Sequence, residues 1–181
     1  MTLEQVRESC AGCRRCALCE TRRSIVFGVG NPQADIMFVG EAPGEEEDKQ
    51  GIPFVGRAGK LLDTMLTAVG IRREEVYIAN ILKCRPPHNR DPLPEEEDAC
   101  IGYLREQFRA IRPKVVVCLG RIAAKRMITP EFKITADHGK VYQKSGVLMM
   151  ATFHPAAMLR NPAYKPQAFE DLERALELSR Q

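Results

Sequence analysis

The chain has 181 residues, of which 44% are hydrophobic and 28% are charged, with a formal net charge of +3. This composition predicts one folded domain over residues 1–181 and excludes a largely disordered protein. A mildly basic charge permits nucleic-acid binding without requiring it. No apolar run approaches the roughly 18 residues of a membrane span, so no membrane partner is expected.

The N-terminal segment is rich in cysteine. Thr2 and Gln5 form a capping-box pattern, which predicts a short helix that runs toward Cys10. A series of cysteines begins there at intervals of three residues, and two more lie downstream, around a proline-rich loop and the start of a predicted helix. The six are Cys10, Cys13, Cys16, Cys19, Cys84 and Cys100.

Thiolates gathered from two regions suit a [4Fe-4S] cluster or zinc. Buried cysteines without a ligand are the alternative, and Cys118, inside an apolar run, is expected to be one of these. No secretory hydrophobic segment precedes Cys10, so we expect a reducing, cytoplasmic compartment and no disulfides.

Short apolar runs mark the predicted sheet. Residues 36–39, 76–78 and 115–117 each end before a polar or glycine-marked loop, as buried parallel strands do. Between the first two, apolar residues at helical spacing from Leu61 to Val69 predict a helix that Gly70 ends. These elements form a βαβ unit.

The C-terminal half continues the alternation of helix and strand. Pro94 is expected to begin a helix that reaches Ile111, and residues 122–128 and 169–178 are predicted helices. Residues 141–142 and 147–150 are expected to form a hairpin. The whole pattern predicts a three-layer α/β/α sandwich with a central, mainly parallel sheet.

Three loops follow predicted strands, where sheets of this class bind ligands. The first, Gly40–Asp48, combines glycines with five carboxylates, and its alternative reading is a solvated acidic turn. It has neither the Lys-Ser or Lys-Thr of a phosphate-binding loop nor the dinucleotide fingerprint, which disfavours ATP and NAD. The other two loops begin at Asn80 and at Phe153.

Three side chains in these regions are candidates for ligand contact. Phe54, between glycines and beside a proline, offers a rigid stacking surface, although it would serve equally as core. Asn80 can read a ligand edge with one donor and one acceptor, or merely cap its strand. His154 can donate to a developing anion, whereas a lone histidine is more often structural.

Several blocks of sequence, specific only in combination, together resemble the family 4 uracil-DNA glycosylases. The resemblance implies the fold of those enzymes and hydrolysis of the N-glycosidic bond of deoxyuridine in DNA, which releases uracil and leaves an abasic site. The blocks are Gly40–Asp48, Gly51–Gly59, Asn80, Lys83–Arg90 and Phe153–Pro155, within a match from Cys13 to Pro162.

The resemblance implies roles for individual residues. Phe54 would stack on a flipped uracil, Asn80 would read its N3 and O4 edge, and His154 would donate to its O2. The backbone of Gly40, Glu41 and Ala42 would line the O2 side of the base and the attacking water.

One step of this mechanism has no obvious residue. Ala42 stands where family 1 enzymes carry a water-positioning aspartate, so the water must be held otherwise. We expect Glu41 to form the pocket, and Glu47 either to orient the water or to exclude the methyl group of thymine.

The resemblance also selects among the metal-binding alternatives. It implies a [4Fe-4S] cluster at Cys13, Cys16, Cys84 and Cys100, with the segment 10–19 contributing to it and Cys10 and Cys19 outside the ligand set. The cluster would be a structural staple, since hydrolysis transfers no electrons. Three basic residues around Cys84 are expected to reach DNA phosphate, namely Lys83, Arg85 and Arg90.

The segment 155–162 has the composition of a DNA wedge. Met158 or Leu159 would fill the vacated base stack and Arg160 would contact a phosphate, the alternative being that the apolar pair packs in the core. The expected partner is uracil-containing DNA, single- or double-stranded, with a sliding clamp as a further candidate. No second subunit is needed to complete the pocket, so a monomer is expected.

Other functions remain open at this stage. The chain would also suit a non-catalytic iron–sulfur module that binds DNA or passes electrons, a zinc-ribbon protein, or a sister glycosylase for another deaminated base. A covalently product-trapping glycosylase is not expected, because its Lys-Arg-Arg-Ile-His stretch is absent.

Overall fold

The computed structural model describes residues 1–181 and is built around one six-stranded sheet. The strand order is β1-β3-β2-β4-β6-β5; the four inner strands are parallel and both edge strands are antiparallel. The strands are β1 Val29–Gly30, β2 Ile36–Gly40, β3 Tyr77–Asn80, β4 Val115–Leu119, β5 Tyr142–Lys144 and β6 Val147–Thr152.

Eight α-helices flank this sheet, and none is long and apolar enough to cross a lipid bilayer. They are α1 Leu3–Cys10, α2 Glu45–Gln50, α3 Arg57–Val69, α4 Pro94–Ile111, α5 Arg121–Met127, α6 Ile134–Asp137, α7 Pro155–Arg160 and α8 Lys165–Ser179. Short 3-10 turns lie at Ala17–Glu20, Arg73–Glu75, Pro87–Asn89 and Pro162–Tyr164.

The sheet buries both faces. Along β2, Met37 and Val39 belong to a core of 21 buried residues that includes α4 and α5, whereas Ile36 and Phe38 belong to a core of 19 that includes α3 and α8. This alternation follows from the two-residue period of a strand. The predicted α/β/α sandwich with a mainly parallel sheet is confirmed.

Local sequence signals set several helix boundaries. Thr2 and Gln5 make both bonds of the predicted capping box at the start of α1. Gly70 ends α3 with a φ of 87°, a left-handed conformation that glycine adopts without strain. Pro94 is the first residue of α4, and the backbone N–H of Leu93 donates to the Glu96 carboxylate at 2.9 Å.

The predicted hairpin is confirmed as β5 and β6, and β6 also pairs in parallel with β4. Two segments expected as loops are helical, namely α2 and α7. Glu47 caps the first turn of α2, and Pro155 starts α7 with its φ already suited to a helix.

Candidate active site

A cavity of about 520 Å³ opens at the carboxyl ends of the four parallel strands. The predicted residues that line it come from four separate stretches of the chain, which the parallel topology brings to one edge of the sheet. They are Glu41, Ala42, Glu47, Phe54, Asn80, His154 and Arg160.

Asn80 supplies an unused hydrogen-bond acceptor. Its side chain is 2% exposed, and its Oδ1 atom has no hydrogen-bond partner. Buried polar atoms in proteins are nearly always paired, so an orphan acceptor at the edge of a cavity indicates a donor brought by a ligand.

Gly40 lies behind Phe54 and Asn80 and allows them to approach. It is paired with Asn80 across β2 and β3. A Cβ atom at Gly40 would lie 2.5 Å from Asn80 Oδ1 and 2.6 Å from Phe54 Cζ. The predicted contribution of Gly40 to the base pocket is therefore one of space, because any side chain there would displace both groups.

Phe54 presents an aromatic ring to the same region. The ring is 5.5 Å from that of His154, centroid to centroid, and the side chain is 6% exposed. Its backbone has a φ of 54°, which non-glycine residues rarely adopt. The ring is thus held near Asn80 by a backbone conformation that its surroundings must stabilise.

Glu47 braces the loop that carries Phe54. Its Oε1 accepts from the backbone N–H of Gly44 at 3.0 Å, and its Oε2 accepts from those of Val55 and Gly56 at 2.9 and 2.7 Å. Both carboxylate oxygens are therefore engaged with backbone. The expected contact of Glu47 with water or with a thymine methyl group stays a prediction.

His154 is a neutral hydrogen-bond donor at pH 7. Its Nδ1 accepts from the backbone N–H of Ala156 at 3.0 Å, which leaves the proton of the neutral ring on Nε2. Burial lowers the pKa of His154 to about 4, and the positive charge of Arg160 acts in the same direction. The ring can therefore donate through Nε2 without being charged.

Glu41 shares the cavity with charged neighbours. Burial raises the pKa of its carboxyl group and the negative charge of Asp91 adds to this, whereas Arg121 and Arg160 act against it. Arg121 also donates to Asp91 at 2.8 Å. The Glu41 carboxylate of the first loop thus lies in the cavity beside an ion pair formed by residues of two other segments.

Asp91 and Arg121 were not predicted as site residues. Arg121 directly follows Gly120 at the end of β4, the one parallel strand whose following loop was not singled out. The rule that picked out the loops after Gly40, Asn80 and Phe153 would have found Arg121, had it been applied to every strand end.

The predicted DNA-contacting residues separate in the structure. Helix α7 turns Met158 inward, where it is 2% exposed in the core, while Leu159 on the next position is 36% exposed. The expectation that Met158 contacts DNA is therefore wrong, and Leu159 is the apolar side chain at the surface. Arg160 lines the cavity rim.

The prediction that Lys83 reaches DNA phosphate is also wrong. It is 1% exposed, and its Nζ donates to the backbone oxygen of Asn80 at 3.0 Å and to Gln107 Oε1 at 2.7 Å. A side chain buried in this way cannot reach a phosphate. Its neighbours Arg85 and Arg90 remain partly exposed.

The six cysteines of the two regions line one small cavity. Cys118 is instead buried in β4, as predicted for a core residue. The other six, all unpaired thiols, are Cys10, Cys13, Cys16, Cys19, Cys84 and Cys100.

Several N–H groups are directed at these sulfurs. Lys83 N lies 3.3 Å from Cys100 Sγ, Arg22 Nη1 lies 3.5 Å from Cys84 Sγ, and Arg15 N lies 3.5 Å from Cys13 Sγ. Soft sulfur donors with N–H groups around them suit an iron–sulfur cluster. No three metal-binding side chains of the chain meet closely enough to hold a single ion.

Comparisons with known proteins agree with this geometry. Residues 27–177 match the Uracil DNA glycosylase superfamily. The chain is 50% identical over 180 residues to the Type-4 uracil-DNA glycosylase of Archaeoglobus fulgidus, covering 95% of this chain and 88% of that protein. It is 45% identical over 177 residues to that of Thermotoga maritima, covering 96% and 92%.

Proposed function

The chain belongs to the uracil DNA glycosylase superfamily, and from its pocket we propose how it recognises and releases the base. It is a DNA repair glycosylase that hydrolyses the N-glycosidic bond of deoxyuridine in DNA, releases uracil and leaves an abasic site. Its macromolecular partner is therefore DNA. The base must leave the helical stack to reach a cavity at the strand ends.

The unpaired Oδ1 of Asn80 is the observation that carries the assignment of the base pocket. This oxygen accepts the N3–H of uracil, and the amide N–H of the same side chain donates to O4. Cytosine presents an acceptor at N3 and a donor at N4. It would therefore place an acceptor against Oδ1 of Asn80 and a donor against the amide N–H. A site built on such a pairing discriminates strongly, because the wrong base leaves buried polar groups unpaired.

Phe54 provides the face on which the flipped base stacks. Its ring lies beside both the amide of Asn80 and the ring of His154. Stacking fixes the plane of uracil so that its N3 and O4 edge meets Asn80 while O2 turns toward the histidine.

His154 stabilises the leaving base. As the N-glycosidic bond breaks, negative charge develops on uracil and is shared by O2. The Nε2–H of the neutral ring donates to that oxygen, and the hydrogen bond strengthens as the charge grows. The bond from Ala156 N–H to Nδ1 keeps the ring in the required tautomer.

Water is held by the loop that follows β2. Ala42 offers only its backbone, so Glu41 is the carboxylate of this loop that can accept a hydrogen bond from the attacking water. Its negative charge also stabilises the positive charge that develops on the sugar as the bond lengthens. Glu47, with both oxygens bound to backbone, acts by holding the Phe54 loop in place.

We propose that the cysteine cavity holds a [4Fe-4S] cluster through Cys13, Cys16, Cys84 and Cys100, and the gathered thiols with N–H groups around them support this proposal. Such a cluster, when bound, would supply a structural cross-link, here called the clasp, and would take no part in the hydrolysis. It would tie the N-terminal segment to the segment after β3 and to α4. Between Cys84 and α4 lie Pro86, Asn89 and Arg90, all of which line the active-site cavity, so the clasp would shape one wall of the pocket.

The DNA surface is proposed from the rim of the cavity. Leu159 is the wedge candidate that remains exposed, and Arg160 contacts phosphate next to it. A monomer as the acting unit stays a prediction. A sliding-clamp partner stays a prediction.

The test is cleavage of end-labelled oligonucleotides that contain one uracil, thymine or cytosine at the same position, followed by alkaline cleavage of abasic sites. We expect product from uracil alone, and loss of about 100-fold or more of the rate in Asn80→Ala, purified in parallel. Uracil cleavage that persists in Asn80→Ala, or cleavage of cytosine by the wild type, would contradict the pocket assignment.

A further inference from the structure

The backbone at Phe54 needs external restraint. Its φ of 54° is unfavourable for a residue with a Cβ atom. The first turn of α3 approaches the same peptide so closely that only glycine fits, since a Cβ atom at Gly59 would lie 2.0 Å from the carbonyl oxygen of Phe54. A loop in this conformation relaxes unless neighbouring groups hold it.

Two charged side chains hold this loop from opposite ends. On the amide side, Glu47 accepts from the N–H groups of Val55 and Gly56. On the carbonyl side, Arg73 Nη1 donates to the oxygen of Phe54 at 2.8 Å, and Arg73 Nη2 donates to the oxygen of Pro53. The peptide groups that flank the Phe54 ring are thus fixed in both directions.

Arg73 is itself oriented by the fold. Its Nη1 is 2.8 Å from Oδ1 of Asp63 on α3, and its side chain is largely buried. It comes from the 3-10 turn Arg73–Glu75, which leads into β3 and so toward Asn80. The guanidinium therefore links the loop of the stacking residue to the strand that carries the base-reading amide.

We propose that Arg73 is a positioning residue for catalysis, one that acts through Phe54 by locking its carbonyl and hence the plane of its ring. This inference rests on the proposed function. A guanidinium suits the task because its planar fork can donate to two carbonyls and a carboxylate at once, which an ammonium group cannot match in geometry. Without it, the ring would lose its fixed position against Gly40, Asn80 and His154.

The experiment compares Arg73→Gln and Arg73→Lys with the control Arg72→Gln under single-turnover conditions on a uracil-containing single strand. Arg72 is the adjacent arginine, with a side chain 72% exposed and paired with Glu75 on the surface. We expect a rate loss of about 10- to 100-fold in Arg73→Gln, a partial recovery in Arg73→Lys, and no change in the control.

Coupling to Phe54 separates positioning from a general structural role. Each Arg73 variant is also made in a Phe54→Ala background, and thermal unfolding is recorded for every protein. If Arg73 acts through the ring, its substitution has little further effect once the ring is gone. Equal fold-losses in both backgrounds, or full activity of Arg73→Gln, would overturn the proposal.

The failure of the inference is distinguishable from that of the function. A wild-type protein that leaves uracil uncleaved refutes the pocket assignment on which the inference rests, whereas an active wild type with additive losses refutes only the role of Arg73. If Arg73→Gln fails to fold, Arg73→Lys and Asp63→Asn report the same coupling, because each weakens the carbonyl clamp while leaving the other charge in place.

Discussion

Gly40 and Asn80 are register partners on β2 and β3, and a Cβ atom on Gly40 would come within 2.5 Å of Asn80 Oδ1. The same Cβ atom would lie 2.6 Å from Phe54 Cζ. The position thus has room only for hydrogen between the amide of Asn80 and the ring of Phe54. Because both side chains line the cavity, the requirement for glycine here is a requirement of the cavity.

Gly40→Ala should therefore lower activity by displacing Asn80 or Phe54. We expect a loss of about 100-fold in the single-turnover rate, since displacements of about 1 Å have effects of this size. The matched control is Gly102→Ala within α4, where the added Cβ meets nothing closer than 3.8 Å and helix propensity favours alanine. Equal activity of the two variants would show that the strand end tolerates a side chain.

The pH dependence of activity should lack a histidine transition near neutrality. The pKa of His154 is lowered from 6.5 to about 4, so the ring stays neutral and its Nε2–H stays in place through pH 6 to 8. We expect His154 to contribute no change in kcat/KM over this range, and to contribute a fall only in more acidic solution near pH 4. A fall centred near pH 6.5 would contradict this account of His154.

The lowered pKa of His154 should also make the free energy of unfolding depend on pH. As the pH falls below 6.5, an unfolded chain binds a proton at His154, whereas the folded protein does so only near pH 4. The unfolded state is therefore favoured increasingly over this range, and the free energy of unfolding decreases. Urea titrations should show a shallower decrease in His154→Asn than in the wild type.

The sequence predicted the features that depend on residues close together along the chain. The strand runs, the capping box at Thr2 and the helix stop at Gly70 depend on neighbours in sequence and were predicted. Met158 was not, because its burial depends on which face of α7 meets the core. A segment of six residues carries too little periodicity to indicate that face.

The residues of the candidate site also differ in how far the sequence could predict them. The place of Asn80 and His154 at the cavity could be predicted, because each lies at or just after the end of a strand and carries unusual chemistry for its position. The clamp of Arg73 on the Phe54 loop could not, since it joins residues that lie 19 positions apart through backbone oxygens. Nothing in the arginine's own sequence neighbourhood marks it, and Arg72 beside it has no such contact.

Glu47→Gln should weaken the loop that carries Phe54. The substitution replaces one carboxylate oxygen, an acceptor, with an NH₂ group, a donor. At least one of the three backbone N–H groups that donate to Glu47 would then face another donor. We expect a lower melting temperature and a reduced rate on uracil, with thymine still uncleaved. Glu46→Gln is the control, because Glu46 is exposed and its carboxylate pairs with Lys49 at 3.5 Å on the surface.

Unchanged stability in Glu47→Gln would contradict its role as a brace. Thymine cleavage by this variant would instead favour the alternative in which Glu47 guards against the methyl group.

Leu159→Ala should affect duplex substrates more than single strands. The exposed leucine would fill the stack that the uracil vacates, a function that exists only where there is a stack to fill. We expect the ratio of duplex to single-strand kcat/KM to fall about tenfold. Val29→Ala, a similarly exposed apolar residue on the edge strand β1, should leave the ratio unchanged. An unchanged ratio in Leu159→Ala would remove the residue from base flipping.

Single alanine substitutions should separate the proposed cluster ligands from the other cysteines. Replacement of Cys13, Cys16, Cys84 or Cys100 should abolish the visible absorption of a [4Fe-4S] cluster and lower the melting temperature, because the clasp on the segment before α4 is lost. Cys10→Ala and Cys19→Ala should keep the absorption, although both residues line the same cavity. Cys118→Ala, in the core of β4, controls for loss of a buried thiol. Retained iron in Cys84→Ala together with its loss in Cys10→Ala would exchange the two residues in the ligand set.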